Sequence, residues 1–189
     1  MNTPFGKKVE FQKNKDICTI RPKIFSDDRG FFVEIYNQNE LESLGFTHVF
    51  VQDNISYSKK GVIRGLHMQS SLGVQGKLVM CLDGKIKDIF VDLRPHSPQF
   101  GKVHEFYLSS DDISQVYIPE GFAHGFSVLS EGALVLYKST NFYDSSKEIA
   151  LNPLDSFLNI DWEIEKKLQI ISDKDRQGMS FEEFKRFYA

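Results

Sequence analysis

Residues 77–93 read KLVMCLDGKIKDIFVDL. Two runs of strand-forming residues, 77–82 and 85–93, flank Asp83-Gly84, a dipeptide favoured in two-residue hairpin loops, and predict a β-hairpin. In the second run Ile86 falls on one parity and Ile89, Val91 and Leu93 on the other, which predicts a bulge near Lys87-Asp88. Short strand-like runs recur on both sides. Residues 8–24 offer two, split by residues 13–16 and closed by Pro22. Residues 26–30 (SDDRG) form a turn that holds Arg29 beside the run at 31–36. Residues 46–55, FTHVFVQDNI, read as a strand ending in Gln52, Asp53 and Asn54. Strands at 103–108 and 116–118 precede the break at Pro119-Glu120-Gly121. A strand at 125–129 then turns through Glu131-Gly132 into 133–140, a second hairpin that puts Ala133, Val135 and Tyr137 on one face.

Helical signals are confined to two places. Asn37 can cap a short helix in which Glu40 lies three residues on, Leu41 and Leu44 share a face, and Gly45 is the stop. A closing helix starts at Ser180, with Glu183 completing a capping box and Phe181, Phe184 and Phe187 at helical spacing. Strand after strand without intervening helices makes the chain all-β, a sandwich or jelly roll. Its 189 residues suit one domain better than two.

Composition narrows the function classes. A net charge of -3 without long runs of one sign carries no nucleic-acid or membrane-surface footprint. No apolar run reaches the length of a membrane span, and the first residues lack a signal-peptide core, so the expectation is a soluble cytoplasmic protein. Cys18 and Cys81 lack zinc-like spacing and read as buried free thiols.

Two glycine-punctuated stretches gather the chemistry: residues 61–77, GVIRGLHMQSSLGVQGK, and residues 118–130, IPEGFAHGFSVLS. They supply Arg64, His67, Lys77 and His124, with Tyr137 following. An imidazole, a fixed ammonium and a phenol in one pocket can move a proton beside a carbonyl. Arg64, between Ile63 and Gly65, needs an acidic partner or an anionic ligand. Taken singly, a histidine or tyrosine in a strand is more often structural, and His48, His96 and His104 are read that way.

The segments FSDDRGFF, FVQDN, GVIRGLHMQ, QGKLV, VDLR, IPEGFAHGF, LYKSTNFY and ISDKD, in this order over residues 25–175, resemble the signatures of the dTDP-4-dehydrorhamnose 3,5-epimerase family. The resemblance implies a cupin-type jelly roll (double-stranded β-helix) over residues 1–189, without metal or other cofactor, as a homodimer that exchanges N-terminal strands. It implies inversion of carbons 3 and 5 of a nucleotide-linked 4-keto-6-deoxyglucose, a step towards activated rhamnose. His67 would be the base and Tyr137 the opposing acid. Asp175, or else Asp173, would orient the imidazole, and Lys77 would hold the oxyanion. Arg29, Glu34, Gln52, Asp53, Asn54, Arg64, His124, Tyr143, Glu148 and Lys174 would contact substrate, while Phe142 and Tyr143 either stack on the base or simply pack.

The sequence departs from the family pattern at Met68 and Phe142, and IALNPLD lacks a Trp-Asn-Asp motif. A relative acting on another nucleotide sugar, or at one carbon only, would keep the same catalytic set. Two other classes compete. A metal-dependent cupin needs two histidines where Leu66-His67-Met68 offers one, and a non-catalytic sugar-nucleotide module would not need both base and acid.

Overall fold

A computed structural model describes residues 9–14, 16–70 and 74–188; residues 71–73, inside the 61–77 stretch, lie outside it, as do residues 1–8. The strands are β1 (Val9–Asn14), β2 (Ile17–Pro22), β3 (Ile24–Asp27), β4 (Gly30–Val33), β5 (Gln52–Lys59), β6 (Ile63–Gln69) and β7 (Lys77–Asp83). They continue as β8 (Lys85–Asp92), β9 (Val103–Ser109), β10 (Gln115–Ile118), β11 (Phe122–Val128), β12 (Gly132–Ser139) and β13 (Glu148–Ala150). A six-stranded sheet in the order β1-β2-β10-β7-β12-β5 faces a five-stranded sheet in the order β13-β6-β11-β8-β9. The pairings between these strands are antiparallel.

The turn at Asp83-Gly84 is not a hairpin. β7 pairs with β10 and β12, whereas β8 pairs with β11 and β9 in the opposite sheet. The chain therefore turns a corner there, and Gly84 is required: its φ is +80°, and a Cβ would lie 2.1 Å from the Gly132 carbonyl oxygen. The second predicted hairpin, through Glu131-Gly132, is also a corner, taking the chain from β11 in one sheet to β12 in the other. The pairing of β8 is continuous with both neighbours, so the predicted bulge near Lys87-Asp88 is absent. Two parities carry apolar residues because both faces of β8 are covered. Ile86 and Phe90 point into the core between the sheets, and Ile89, Val91 and Leu93 into a second core outside. A strand buried on both faces loses the alternation that marks a half-exposed one.

That outer core is closed by the C-terminal third of the chain, with Leu158, Trp162, Phe181 and Phe184 packed over β6 and β8. The helix α3 (Phe181–Tyr188) carries the expected capping box, in which Ser180 N–H donates to Glu183 and Glu183 N–H to Ser180 Oγ. Phe187 projects into solvent, 70% exposed. A third core under Tyr117 is capped by the helix α1 (Gln38–Ser43), where Asn37 accepts from Glu40 N–H as its composition predicts. Leu41 is buried there, while Leu44 is partly exposed, at 39%.

The predicted strand at 46–55 is extended pairing only from Gln52. Phe46 and Phe50 instead pack edge-on against Tyr117. The run at 31–36 pairs only to Val33, and β3–β4 forms a separate two-stranded ribbon whose Phe31 and Phe32 are 64% and 67% exposed. Cys18 and Cys81 are buried free thiols.

Candidate active site

The glycines of the two organising stretches bring β6 and β11 together. A Cβ on Gly65 would lie 2.4 Å from the His124 carbonyl oxygen, and one on Gly125 would lie 2.4 Å from that of Arg64. Larger residues would push the strands apart. The pairing shifts register between His124 and Phe126, and Arg64 and His67, of opposite parity, both reach one cavity of about 280 Å³. An irregularity that re-aims side chains is a recurrent use of strand bulges.

The cavity lies between the sheets. The five-stranded sheet contributes Arg64, His67 and His124, and the six-stranded sheet contributes Ser56, Lys77 and Tyr137. Ser172, Lys174 and Asp175 close one side from the short helix α2 (Asp173–Arg176). His67 Nε2 lies 2.6 Å from Asp175 Oδ1, which settles the partner: Asp173 is exposed at the start of the same helix. Ser172 caps α2 by accepting from Asp175 N–H and so fixes the carboxylate's backbone. Burial would raise the Asp175 carboxyl, but hydrogen bonds from His67, Ser172 and the Gly65 backbone outweigh it and hold the group below the ordinary carboxylate range.

Lys77 donates to the His67 carbonyl oxygen at 3.3 Å. Burial pushes its ammonium down to about 8, against the opposing pull of Asp88 and Glu148. Tyr137 moves the other way. Burial raises its phenol above the ordinary value and Glu148 adds to that, with Arg64 partly offsetting both. At neutral pH the pocket thus holds a protonated phenol on one sheet and, on the other, an imidazole fixed by a carboxylate.

Asp88 is the member that the sequence reading missed. It is fully buried on β8, and its Oδ1 lies 2.7 Å from His124 Nε2, so His124 can present only Nδ1 to the cavity. An acid inside an apolar strand requires a partner, and that signal was spent on the absent bulge. The Ser172-x-x-Asp175 spacing, a helix start, was the signal for α2.

The other expected residues are placed in different ways. On β5, Gln52 and Asn54 share the inward face, linked at 2.9 Å, and the Nδ2 of Asn54 and the Oγ of Ser56 are buried without a hydrogen-bond partner among the described residues. Glu148 joins Tyr143 and Lys174 at the edge, accepting from the phenol at 2.6 Å and the ammonium at 2.7 Å. Among the described residues Arg64 does not find a carboxylate; its Nε donates to Ser58 Oγ at 2.8 Å, a neutral partner supplied by the facing sheet. Asp53 points to the opposite face of β5, bonded to Lys138 at 2.7 Å. Arg29 and Glu34 lie on or beside the β3–β4 ribbon, away from the cavity, where Arg29 pairs with Asp27 and Glu34 accepts from Asn37.

A two-sheet jelly roll whose inner cavity is lined by an imidazole–carboxylate pair from one sheet and a phenol and an ammonium from the other is the arrangement of a cupin-type enzyme equipped for proton transfer. The chain belongs to the dTDP-4-dehydrorhamnose 3,5-epimerase family: the family model of that description matches residues 12–183. It is 47% identical over 167 residues to a dTDP-4-dehydrorhamnose 3,5-epimerase of Shigella flexneri, covering 88% of this chain and 91% of that one. The solved dTDP-4-dehydrorhamnose 3,5-epimerase of Elizabethkingia anophelis superposes with a TM-score of 0.86 at 45% identity, covering 93% of this chain and 98% of that one. A Legionella pneumophila dTDP-6-deoxy-D-glucose-3,5-epimerase solved with dTDP-4-keto-L-rhamnose gives 0.85 at 42% identity, over 91% and 92% of the two chains.

Proposed function

We propose that this protein inverts carbons 3 and 5 of dTDP-4-keto-6-deoxyglucose, with His67 as base and Tyr137 as acid. Both carbons flank the ketone at carbon 4, so loss of either proton yields an enolate whose charge resides on one oxygen. Lys77 holds that oxygen with a full charge in a site shielded from water, and His124, aimed by Asp88, contributes Nδ1 beside it. His67 removes the proton from one face, with its tautomer set by Asp175. Tyr137 then protonates carbon from the other face. Base and acid come from opposing sheets, and this is the observation that carries the reading, because inversion needs them on opposite sides of the sugar.

Arg64 and Lys174 supply donors for the diphosphate, and the unpartnered Asn54 and Ser56 groups supply polar contacts for the sugar. Arg29 and Glu34 reach substrate only if a second chain presents its β3–β4 ribbon to this cavity. The exposed Phe31 and Phe32 support a homodimer that exchanges N-terminal segments. Asp53, turned away and paired, is left out of the contact set. Residues 1–189 act as one cytoplasmic epimerase domain. Incubation with the 4-keto sugar in deuterium oxide tests the reading: deuterium at both carbons supports it, deuterium at one makes the protein a mono-epimerase, and none overturns it. Sedimentation as a monomer at working concentration would overturn the shared site.

A further inference from the structure

His67 faces two carboxylates. Its Nε2 is bonded to Asp175, and its Nδ1 lies 3.7 Å from Glu148 Oε1. Orienting an imidazole takes one carboxylate. The second stands beside the nitrogen that has to accept the substrate's proton. Glu148 is only 13% exposed, yet its other oxygen is held by Tyr143 and Lys174, which are 50% and 60% exposed. One end of this carboxyl thus meets the imidazole and the other meets the solvent edge.

Double inversion creates a need for such a group. In a sugar of gluco configuration the hydrogens on carbons 3 and 5 lie on the same face of the ring, so one base removes both. After the first inversion His67 keeps the proton it took and Tyr137 lacks the one it gave. Each is then in the wrong state for the second inversion. Asp175 cannot clear the proton, because it engages the other nitrogen and its side chain is 6% exposed.

Resting on the epimerase reading above, we propose that Glu148 takes the Nδ1 proton of His67 between the two inversions and passes it to water, resetting the base while the sugar stays bound. The Nδ1–H bond breaks with its electron pair left on the ring, and an O–H bond forms on Glu148 Oε1. The carboxylic acid then loses the proton to solvent, and the Tyr137 phenolate regains one from the same source. Reaching the ~2.8 Å of a charge-assisted hydrogen bond from 3.7 Å requires the carboxylate and the imidazole to approach by about 1 Å. Burial works against the Glu148 charge, but the bonds from Lys174 and Tyr143, with the nearby His67, hold it below the ordinary range, so it starts as an acceptor.

The test is a single turnover in deuterium oxide with saturating enzyme, comparing the wild type with Glu148→Gln and Glu148→Asp and following both carbons by NMR. In Glu148→Gln, whatever the change in the first step, the second deuterium should lag the first by about 10²-fold more than it does in the wild type. Singly inverted sugar should be released, Glu148→Asp should recover much of the second step, and added formate should accelerate it in Glu148→Gln. Equal slowing at both carbons, a lag that formate does not shorten, or a change confined to KM would overturn the relay alone. A wild type that takes up no deuterium would overturn the functional reading and the relay with it.

Discussion

Replacing Lys77 by methionine should make the protein more stable and nearly inactive. Burial brings its ammonium from 10.5 to about 8. At about 1.4 kcal/mol per tenfold in protonation, the charged form costs the fold roughly 3 kcal/mol near neutral pH. A methionine of similar length removes that cost and forfeits the bond to the His67 carbonyl oxygen, about 1 kcal/mol. The net gain is about 1–2 kcal/mol, or about 2–8 °C in melting temperature for a chain of this size. The sign with pH is fixed. The folded-state value lies below the unfolded one, so between about 8 and 10.5 the unfolded chain binds more protons and wild-type stability rises with pH. The advantage of Lys77→Met should therefore be full near neutral pH and shrink as the pH approaches about 10. Turnover should fall about 10²–10³-fold or more in the variant, and the wild type should lose activity above about pH 8 as the oxyanion loses its cation. Thermal unfolding at two pH values beside a coupled reductase assay measures both. A variant less stable than wild type near neutral pH, or an advantage that does not change with pH, would refute the reasoning.

Tyr137→Phe should lower net inversion by about 10²–10⁴-fold while deuterium still washes in through the unaltered base, as read by NMR of recovered substrate. Asp175→Asn removes a carboxyl held low in the folded state, whose stability contribution is present above its unfolded value and lost as pH falls through the folded one. The variant should thus show a flatter acid limb in a pH series of unfolding midpoints, together with a fall in kcat. Phe184→Ala opens a cavity where the terminal helix covers the five-stranded sheet and should cost about 3–5 kcal/mol by denaturant titration.

The strands and caps were legible because they follow from nearest neighbours in the chain. Asn37 and Ser180 cap helices, and Pro119-Glu120-Gly121 breaks a strand, whatever lies across the fold. Sheet membership was not legible. A dipeptide such as Asp83-Gly84 tightens the chain in the same way whether the next strand pairs with the last or crosses to the facing sheet, and only long-range pairing decides. The candidate site divides along the same line. His67, Lys77, Tyr137 and Asp175 meet as the motifs imply, but the partner chosen by Arg64 and the pairing of Asp88 with His124 depend on neighbours six and thirty-six residues away.

The misread corners are what make the chemistry possible. Had β7 and β8 formed a hairpin in one sheet, as β11 and β12 would have by the same reading, His124 and Tyr137 would lie on a common surface. Because the chain changes sheets at Gly84 and again between Val128 and Gly132, β6 and β11 stand opposite β7 and β12. A sugar entering between them meets an imidazole from one wall and a phenol from the other. The two glycines at which β6 and β11 touch allow no Cβ, so the wall that carries His67 is set by backbone contact and not by side-chain packing. In the proposed reaction, rigid backbone at His67, with the more polar β5 and the Tyr143–Glu148–Lys174 cluster at the edge, would put the adaptable groups toward solvent and the fixed ones where the proton is to move.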